Sequence, residues 1–561
     1  MNRILILTTL IAAAGLAQAQ SNDITGDWQG TLSAGGAELH LVLHVTKVAD
    51  GSLKANLDSV DQGANIPVNS ITFKDPKLSL SLDSIHGAYE GKVSTNGNTI
   101  SGIWTQGQSF PLDFKRGSPA RPSDIDGTWM GVLDTGTIRL HVVFHILNSA
   151  NGLTATIDSP DQGMKGLLAS AVKREGASLR LDADQLNGVY EGTIASDKSS
   201  IDGKWTQAGN TLALILKPVK DEAALEPKRP QNPVKPYPYR DEDVTYENKI
   251  QNVALAATLT IPQGKGPFPA VVLITGSGPQ DRDETLLGHK PFLVLSDYLT
   301  RHGIAVLRAD DRGTAKSTGD FKTATTADFA TDTEAGIAYL KTRPEVDPHK
   351  IGLIGHSEGA VIAPMIAARN PDVAFIVMMA GTGVPGDQVL VAQGEAIAVT
   401  SGTKPEEAAK HAAKEKEMLA LIEAETVPSE KDDAALEKQL REKMAGDVPE
   451  AQISLQIRQL TSPWFRYFLI YDPAVALRRV TCPVLVLNGE KDKQVLPQQN
   501  LAPIRQALEQ ASNKHFEVDE LPGLNHLFQT ANTGSPTEYA QIEETMSPVA
   551  LEKMATWIAK Q

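Results

Sequence analysis

The chain has 561 residues, of which 41% are hydrophobic and 22% are charged, so it is too long for one hydrophobic core and too apolar to be disordered. Its formal net charge of -15 repels phosphate backbones, which argues against nucleic acid as a partner. Cys482 is the only cysteine, so an internal disulfide is excluded and a large core must supply the stability. We therefore expect at least two globular domains.

Residues 1–19 have the pattern of a secretory signal peptide. Arg3 precedes an apolar run over residues 4–16, and the small-residue pattern Ala-Gln-Ala follows at 17–19. The run is shorter than the about 20 residues that span a bilayer, and we predict no transmembrane segment elsewhere. The sequence predicts cleavage after Ala19 and secretion, with the bacterial periplasm as the compartment that best fits a chain without disulfides. A membrane anchor is the alternative.

The next two hundred residues contain an internal duplication. Within each copy, short runs of alternating apolar and polar residues are separated by Gly, Asn and Asp, which is typical of antiparallel strands. The recurring motifs are Gly26-Asp-Trp-Gln-Gly30 with Gly127-Thr-Trp-Met-Gly131, Asp58–Gly63 with Asp158–Gly163, Gly87–Gly91 with Gly188–Gly192, and Gly102–Gln106 with Gly203–Gln207. We predict two tandem all-β modules, each a small barrel or sandwich, over residues 23–117 and 124–217.

Each module repeats a pair of histidines, His40 with His44 and His141 with His145. These pairs raise the question of a metal site, but the residues around them alternate as in a strand, where positions four apart are separated by about 13 Å. Metal–ligand bonds are about 2 Å long, so one ion cannot bridge such a pair. We therefore predict no metal and a polar strand face, with the tryptophans of the repeated motifs as core anchors.

Residues 218–239 are rich in proline and charge, which predicts an extended linker between domains. Strands and helices alternate after it. The predicted strands are Val253–Ile261, Ala270–Thr275, Ala305–Arg308, Ile351–Gly355, Phe375–Ala380, Val484–Asn488 and Phe516–Leu521. Several are continuous apolar runs, as expected of a sheet covered by helices on both faces. We predict that residues 240–561 form an α/β domain with a mainly parallel, doubly wound sheet.

One stretch of this domain, residues 383–480, lacks strand patterns and contains charged helical patterns such as that of residues 405–419. We predict a helical lid insertion over the carboxyl edge of the sheet, where hydrolytic enzymes place lids. Its aromatic residues Trp464, Phe465 and Phe468 either line an acyl pocket or pack the insertion itself.

Residues 350–364 have the pattern of a buried strand, a tight turn and a helix, with Ser357 at the turn. Gly355 and Gly359 flank the serine at minus two and plus two, where side chains would collide with the neighbouring strand and helix. A Gly-x-Ser-x-Gly match alone arises readily by chance. The strand and helix around it indicate a serine nucleophile.

A serine hydroxyl needs a base that takes its proton and a carboxylate that orients the base. Functional residues of a parallel sheet follow the carboxyl ends of its strands, and the last two predicted strands are followed by Asp492 and His526. We predict a triad of Ser357, Asp492 and His526. Glu490 is an alternative acid in the same loop, and His356 is expected to pack beside the elbow.

Negative charge that develops on the substrate oxygen needs preorganised N–H donors. The residue after the nucleophile, Glu358, is predicted to supply one from its backbone. The loop Thr275-Gly-Ser-Gly-Pro279 is predicted to supply the other, from Ser277 or alternatively from Gly278. This chemistry uses no cofactor, and none is predicted.

From about Tyr239 to Gln561 the sequence resembles the α/β-hydrolase superfamily, near the bacterial carboxylesterases and the serine aminopeptidase-like hydrolases. The motifs that carry the resemblance are Gly276–Asp283, Asp310–Ser317, Gly355-His-Ser-Glu-Gly359, Gly489-Glu-Lys-Asp492 and Gly523-Leu-Asn-His526. The resemblance implies the α/β-hydrolase fold and its serine, acid, histidine order. Two features depart from the pattern: the glycine loop lacks the His-Gly-Gly run of many lipases, and Ala315 stands where a second glycine is often found.

These features predict a secreted serine hydrolase that cleaves a small carboxylic ester through an acyl-enzyme on Ser357. A serine aminopeptidase or aminoacyl amidase is the alternative, since the Glu358 carboxylate is available to bind a substrate ammonium group. A surface- or carbohydrate-binding protein with an accessory esterase domain is a third hypothesis, based on the paired β modules. The natural substrate and the oligomeric state are left open.

Overall fold

The computed structural model describes residues 23–34, 37–48, 51–59, 64–82, 85, 87–116, 123–134, 139–149, 152–162, 164–207, 210–220, 228–424, 430–445 and 450–561. The predicted signal peptide lies outside these residues, as does part of the predicted linker. The chain divides into two compact units, one formed by most of the residues up to 222 and the other mainly by residues 223–561.

The first β module contains the strands β1 (Gly26–Ala34), β2 (Ala37–Lys47), β3 (Leu53–Ser59), β4 (Ala64–Pro67), β5 (Ser70–Lys74), β6 (Lys77–Leu82), β7 (Gly87–Val93), β8 (Thr99–Gln106) and β9 (Gln108–Arg116). They form one antiparallel sheet in the order β4-β3-β2-β1-β9-β8-β7-β6-β5. Because side chains alternate along a strand, one face of the sheet supplies a single core that includes Trp28, Leu43 and Phe114. A sheet around one core is closer to the predicted barrel than to a two-sheet sandwich.

The second module repeats this arrangement with β10 (Gly127–Asp134), β11 (Arg139–Ser149), β12 (Gly152–Ser159), β13 (Met164–Leu168), β14 (Ala171–Glu175), β15 (Ser178–Ala183), β16 (Gly188–Ile194), β17 (Ile201–Gln207) and β18 (Asn210–Pro218). The strand order is β13-β12-β11-β10-β18-β17-β16-β15-β14, which is the order of the first module shifted by nine. Trp28 and Trp129 are both buried, and each indole donates to a carbonyl four residues earlier. The sequence duplication is therefore also a structural one, and the prediction of two all-β modules is confirmed.

A buried tyrosine explains why glycines recur in each module. The hydroxyl of Tyr89 lies 3.2 Å from the carbonyl oxygen of Ile100 and 3.1 Å from that of Leu112. A Cβ on Gly91 or Gly102 would lie 2.6 Å from an atom of the Tyr89 phenol. The two glycines thus leave the space that the phenol fills, and the second module repeats the arrangement around its own tyrosine.

The polar face of the first module holds His44 between two carboxylates. The Nδ1 atom lies 2.7 Å from Asp27 Oδ1, and Nε2 lies 2.9 Å from Asp58 Oδ2. The hydrogen bond to Asp58, helped by that to Asp27, raises the pKa of His44 to about 9. His44 therefore has both ring nitrogens engaged by carboxylates on a strand face, as an imidazolium would.

The His44 contacts predict a pH-dependent stability of the first module. The pKa of His44 is about 9 in the folded protein and 6.5 for an ordinary histidine, so the stabilisation is fully present below pH 6.5 and is lost as the pH rises through 9. We expect the urea midpoint of the β unit to fall over that interval. The fall should be absent in His44→Gln and smaller in Asp27→Asn. An unchanged pH dependence in His44→Gln would contradict the assignment.

The described end of the predicted linker is docked on the α/β domain. The Arg229 guanidinium donates to the carbonyl oxygens of Leu287 at 2.8 Å, Ala540 at 2.8 Å and Ile542 at 3.1 Å. The Gln231 side chain adds hydrogen bonds to the same C-terminal loop. Residues 228–232 are thus bound to the domain surface instead of forming a free spacer, which composition alone did not indicate.

The sheet of the α/β domain contains β19 (Arg240–Asn248), β20 (Val253–Ile261), β21 (Phe268–Ile274), β22 (Ala305–Ala309), β23 (Val346–His356), β24 (Phe375–Met379), β25 (Val484–Gly489) and β26 (Phe516–Leu521). The order is β19-β20-β22-β21-β23-β24-β25-β26. Each pair of neighbours from β22 and β21 to β25 and β26 is parallel, whereas β19 with β20 and β20 with β22 are antiparallel. The predicted mainly parallel sheet is confirmed. The sequence prediction missed β19, because this edge strand carries mostly polar residues and pairs only with β20.

The helices of this domain are α1 (Pro291–Arg301), α2 (Thr326–Leu340), α3 (Gly359–Ala367), α4 (Gly386–Thr400), α5 (Pro405–Ala424), α6 (Glu430–Met444), α7 (Glu450–Leu460), α8 (Pro463–Ile470), α9 (Pro473–Leu477), α10 (Pro497–Gln510) and α11 (Pro548–Ile558). Helices α2, α3 and α10 bury apolar residues in a core on one face of the sheet, and α1 and α11 do so on the other. The sheet is therefore doubly wound, as predicted.

Helices α4–α9, which we call the helical region, follow β24 and precede β25. Several of these helices share an apolar core that includes Leu419, Leu440 and Ile457 and is separate from the two cores of the sheet. Among the helices that the structure describes, none is long and apolar enough to cross a membrane.

Candidate active site

Ser357 lies at a strained turn between β23 and α3. Its φ of 52° falls in the left-handed region that residues with a Cβ rarely adopt, and its backbone N–H donates to the carbonyl oxygen of Met379 at 2.8 Å. A Cβ on Gly355 would lie 1.9 Å from the carbonyl oxygen of Gly359, and a Cβ on Gly359 would lie 2.1 Å from that of Ile274. Both glycines are thus required by backbone contact, as expected of a nucleophile elbow.

Asp492 and His526 meet beyond the carboxyl ends of β25 and β26. Asp492 Oδ2 lies 2.8 Å from His526 Nδ1, and the two side chains are almost completely buried. The other carboxylate oxygen accepts hydrogen bonds from the backbone N–H groups of Gln494 at 2.8 Å and Val495 at 2.9 Å. An acceptor at Nδ1 favours the tautomer in which Nε2 carries the lone pair, which is the form that a general base needs.

Glu490, the alternative acid, has a different partner. Its Oε2 atom accepts from the backbone N–H of Gly523 at 2.8 Å, at the start of the loop that carries His526. The carboxylate that contacts the imidazole is that of Asp492. Glu490 therefore shapes the loop, and the two acids of this segment have separate roles.

The elbow contacts the His526 loop through the residue before the serine. His356 Nε2 lies 3.0 Å from the carbonyl oxygen of His526, and the two imidazole rings are 4.9 Å apart. Within the described part of the chain, Ser357 Oγ and His526 Nε2 are not hydrogen-bonded to each other. Such bonds are often long before substrate binds, so the structure brings acid and base together and leaves the serine contact to be made.

The glycine loop after β21 is held against the elbow by carboxylates. The backbone N–H of Gly276 donates to Glu284 Oε1 at 2.9 Å, and that of Gln280 donates to Asp311 Oδ2 at 2.9 Å. A Cβ on Gly276 would lie 3.4 Å from the Cβ of Ser357, so the backbone of the loop runs beside the serine. The loop is therefore fixed at both ends of its glycine run.

The N–H groups predicted to bind an oxyanion are available. In the ranges that the structure covers, the backbone N–H groups of Ser277, Gly278 and Glu358 have no hydrogen-bond partner, whereas those of Gly276 and Gln280 do. Glu358 follows the nucleophile directly, and Ser277 follows the glycine that lies beside it. The arrangement suits the predicted pair of donors and leaves Gly278 as the alternative.

The side chain of Glu358 contacts the helical region. Its Oε1 atom accepts hydrogen bonds from Thr326 Oγ1 at 2.7 Å and from Trp464 Nε1 at 2.8 Å, and burial raises the pKa of the carboxyl group. Trp464 in turn stacks on Phe468 with 5.4 Å between ring centroids. Phe465 packs against the core of the helical region. Three aromatic residues were predicted either to line an acyl pocket or to pack the insertion. Of these, Trp464 contacts the side chain of Glu358 at the elbow, and Phe465 packs against the core of the helical region.

Asp311 was missed by the sequence analysis as a member of the site. Burial and the nearby carboxyl groups of Glu358 and Glu284 raise the pKa of Asp311 to about 8, although Thr275 Oγ1 and a backbone N–H donate to it. Asp311 and Glu358 line a cavity of about 40 Å³. A signal was present, because Asp311 follows β22 at the same edge of the sheet at which Asp492 follows β25.

This chain is similar in sequence to a family of peptidases and to an esterase. Residues 251–518 match the family described as X-Pro dipeptidyl-peptidase (S15 family). The chain is 26% identical over 375 residues to esterase EstD of Thermotoga maritima, a match that covers 66% of this chain and 80% of that protein.

Solved structures similar to this chain include the Pyrococcus furiosus esterase Pf2001, with 16% identity, a TM-score of 0.36 and coverage of 58% of this chain and 91% of that one. They also include Est1E from Butyrivibrio proteoclasticus, with 17% identity, a TM-score of 0.33 and coverage of 57% and 98%.

The backbone contacts of the elbow predict which glycines tolerate a methyl group. Gly355→Ala and Gly359→Ala should lower the thermal unfolding temperature of the α/β domain, because the added Cβ would meet backbone atoms that cannot move aside. Gly394→Ala is the control. Its Cβ would approach only the mobile carboxylate of Glu415, and alanine favours the helix by up to about 1 kcal/mol. Equal unfolding temperatures in the three variants would contradict this account.

Proposed function

We propose that this protein, whose C-terminal domain resembles the esterase-like members of the α/β-hydrolase superfamily, is a serine hydrolase that cleaves carboxylic esters through an acyl-enzyme on Ser357. The observation that carries the proposal is the buried hydrogen bond between Asp492 and His526 next to a strained serine elbow. The similarity to a named esterase supports an ester as the substrate.

In the proposed mechanism Ser357 Oγ attacks the ester carbonyl carbon while His526 Nε2 takes the hydroxyl proton. Asp492 holds the imidazole by Nδ1 and stabilises the imidazolium that forms. The N–H groups of Glu358 and Ser277 bind the oxyanion of the tetrahedral intermediate. His526 then protonates the leaving alcohol, and a water molecule, deprotonated by the same nitrogen, releases the acid from the serine.

The helical region is proposed to act as a lid over this site. Support comes from the hydrogen bond between Trp464 on α8 and the side chain of Glu358, the residue that follows Ser357. Phe468 stacks on the Trp464 ring and extends the apolar surface. We propose that Trp464 and Phe468 form one wall of the acyl pocket, whereas Phe465 stabilises the region from within.

An amide or peptide is the second candidate substrate. It is favoured by the match of residues 251–518 to a peptidase family. The carbohydrate- or surface-binding role of the β modules stays a prediction.

Export to the periplasm is proposed on the basis of the sequence pattern of residues 1–19. Expression of the full-length chain in a bacterial host and mass spectrometry of the periplasmic fraction should find a mature N-terminus at Gln20. Recovery of the uncleaved chain in the cytoplasm only would contradict the proposal.

Assays on nitrophenyl esters of rising acyl length, run beside aminoacyl nitroanilides, test the activity and its residues. Ser357→Ala should lower kcat by about 10⁴- to 10⁶-fold, and Asp492→Asn by about 10⁴-fold because the imidazole tautomer is lost. Glu490→Gln is the matched acid control and should stay within a few-fold of wild type. Faster amide than ester turnover would reverse the order of the two substrates, and unchanged ester cleavage in Ser357→Ala would remove Ser357 as the nucleophile.

A further inference from the structure

His356 connects three segments of the active site. The residue directly precedes Ser357, and its side chain is only 7% exposed. Its Nδ1 atom lies 2.9 Å from Glu284 Oε1, and its Nε2 atom lies 3.0 Å from the carbonyl oxygen of His526. One imidazole thus joins the nucleophile elbow, the segment that follows the glycine loop and the loop of the catalytic base.

The partners of this ring decide its charge. A neutral imidazole has one N–H, and a carbonyl oxygen can only accept, so two hydrogen bonds to acceptors require a proton on each ring nitrogen. Glu284 Oε1 already accepts from the backbone N–H of Gly276 at 2.9 Å, which suits an ionised carboxylate. The geometry therefore favours an imidazolium on His356 paired with a carboxylate on Glu284.

The other charged groups around the ring agree with this protonation state. Burial lowers the pKa of His356, but Glu284 outweighs burial and, with a smaller contribution from Asp492, raises the pKa above the ordinary histidine value. The His526 ring lies 4.9 Å from the His356 ring, and Asp311 is close enough to Glu284 for the two carboxyl groups to interact. The carboxyl groups of Glu284 and Asp492 both favour the protonated form of His356.

Glu284 has a backbone conformation and a buried oxygen that both lower the stability of the fold. Its φ of 54° is left-handed, and its second oxygen, Oε2, is buried without a hydrogen-bond partner among the described residues. Strain and an unsatisfied buried oxygen each cost stability and persist where the surrounding structure enforces them. The compensation visible here is the pair of contacts at Oε1, to Gly276 and to His356.

We propose that His356, charged by Glu284, is a positioning residue for the ester hydrolysis proposed above. Through Glu284 it holds Gly276, so that the next N–H, that of Ser277, is directed to the oxyanion. Through the carbonyl oxygen of His526 it holds the backbone of the base. The proposal rests on the proposed function but concerns residues outside the triad.

Kinetic variants test the proposal. His356→Gln and Glu284→Gln should each lower kcat on a nitrophenyl ester by about 10²-fold with KM within a few-fold, since a misdirected oxyanion donor weakens the transition state. The double variant should be no slower than the worse single variant, because both remove one unit. His349→Gln, an exposed histidine on the same strand, is the control with unchanged kcat. Wild-type kcat in both variants would overturn the proposal.

The pH profile separates positioning from a general structural role. In the wild type, kcat should fall on the alkaline side as His356 loses its proton and one of its two hydrogen bonds. Glu284→Gln removes the carboxylate that raises the pKa, so the fall should move to lower pH, and His356→Gln should lack it. An alkaline limb that is identical in all three proteins would overturn the proposal.

A direct measurement keeps the proposal testable if a variant fails to fold. Nitrogen-15 NMR of histidine-labelled wild-type protein at pH 7, titrated to alkaline pH, reports the protonation of each ring, and the His356 signal is assigned in the wild-type protein by through-bond correlation to its own backbone amide. Both ring nitrogens should be protonated, and a neutral His356 ring would overturn the proposal. Labelling of wild-type Ser357 by a fluorophosphonate tests the proposed function separately, since that reaction needs the serine and its base whatever the charge on His356.

Discussion

The active site depends on one close backbone contact, between Gly359 at the start of α3 and the carbonyl group of Ile274 at the end of β21. Only a glycine lets the helix approach the strand this closely, and Ser357, two residues earlier, has a left-handed φ of 52°. The same contact brings the glycine loop after β21 beside the serine. The serine predicted as the nucleophile and the N–H groups predicted to bind the oxyanion therefore lie next to each other.

Several carboxyl groups surround the elbow, and each contacts a different partner. Asp492 contacts the imidazole of His526, Glu284 contacts His356 and accepts from the backbone of Gly276, and Asp311 accepts from Thr275 at the start of the glycine loop. Glu358 is joined to the helical region through Trp464. Burial raises the pKa of Asp311 to about 8, and the neighbouring carboxyl groups of Glu358 and Glu284 add to that rise.

The β modules and the α/β domain show why some elements were predictable. Alternation and a repeated motif order identify strands with one buried face, and continuous apolar runs identify strands with two. The strand β19 was not predicted, because it lies at the edge of the sheet and its mostly polar composition resembles that of a loop. The docking of the linker end on the α/β domain was not predicted, because Arg229 contacts backbone carbonyl groups more than 50 residues away in sequence. Local composition cannot report such partners.

By itself, the sequence determined the duplicated modules, the parallel sheet, the elbow at Ser357 and the loops that hold Asp492 and His526. It could do so because each depends on a local pattern combined with the rule that parallel strands end at one edge. Only the tertiary structure decided that Asp492 and not Glu490 contacts the imidazole. It also decided that Trp464 donates to Glu358, whereas Phe465 packs against the core of the helical region. The contact between Glu284 and His356 is a third such result. These choices depend on distances of about 3 Å between side chains remote in sequence, which a hydrogen bond requires and residue order does not specify.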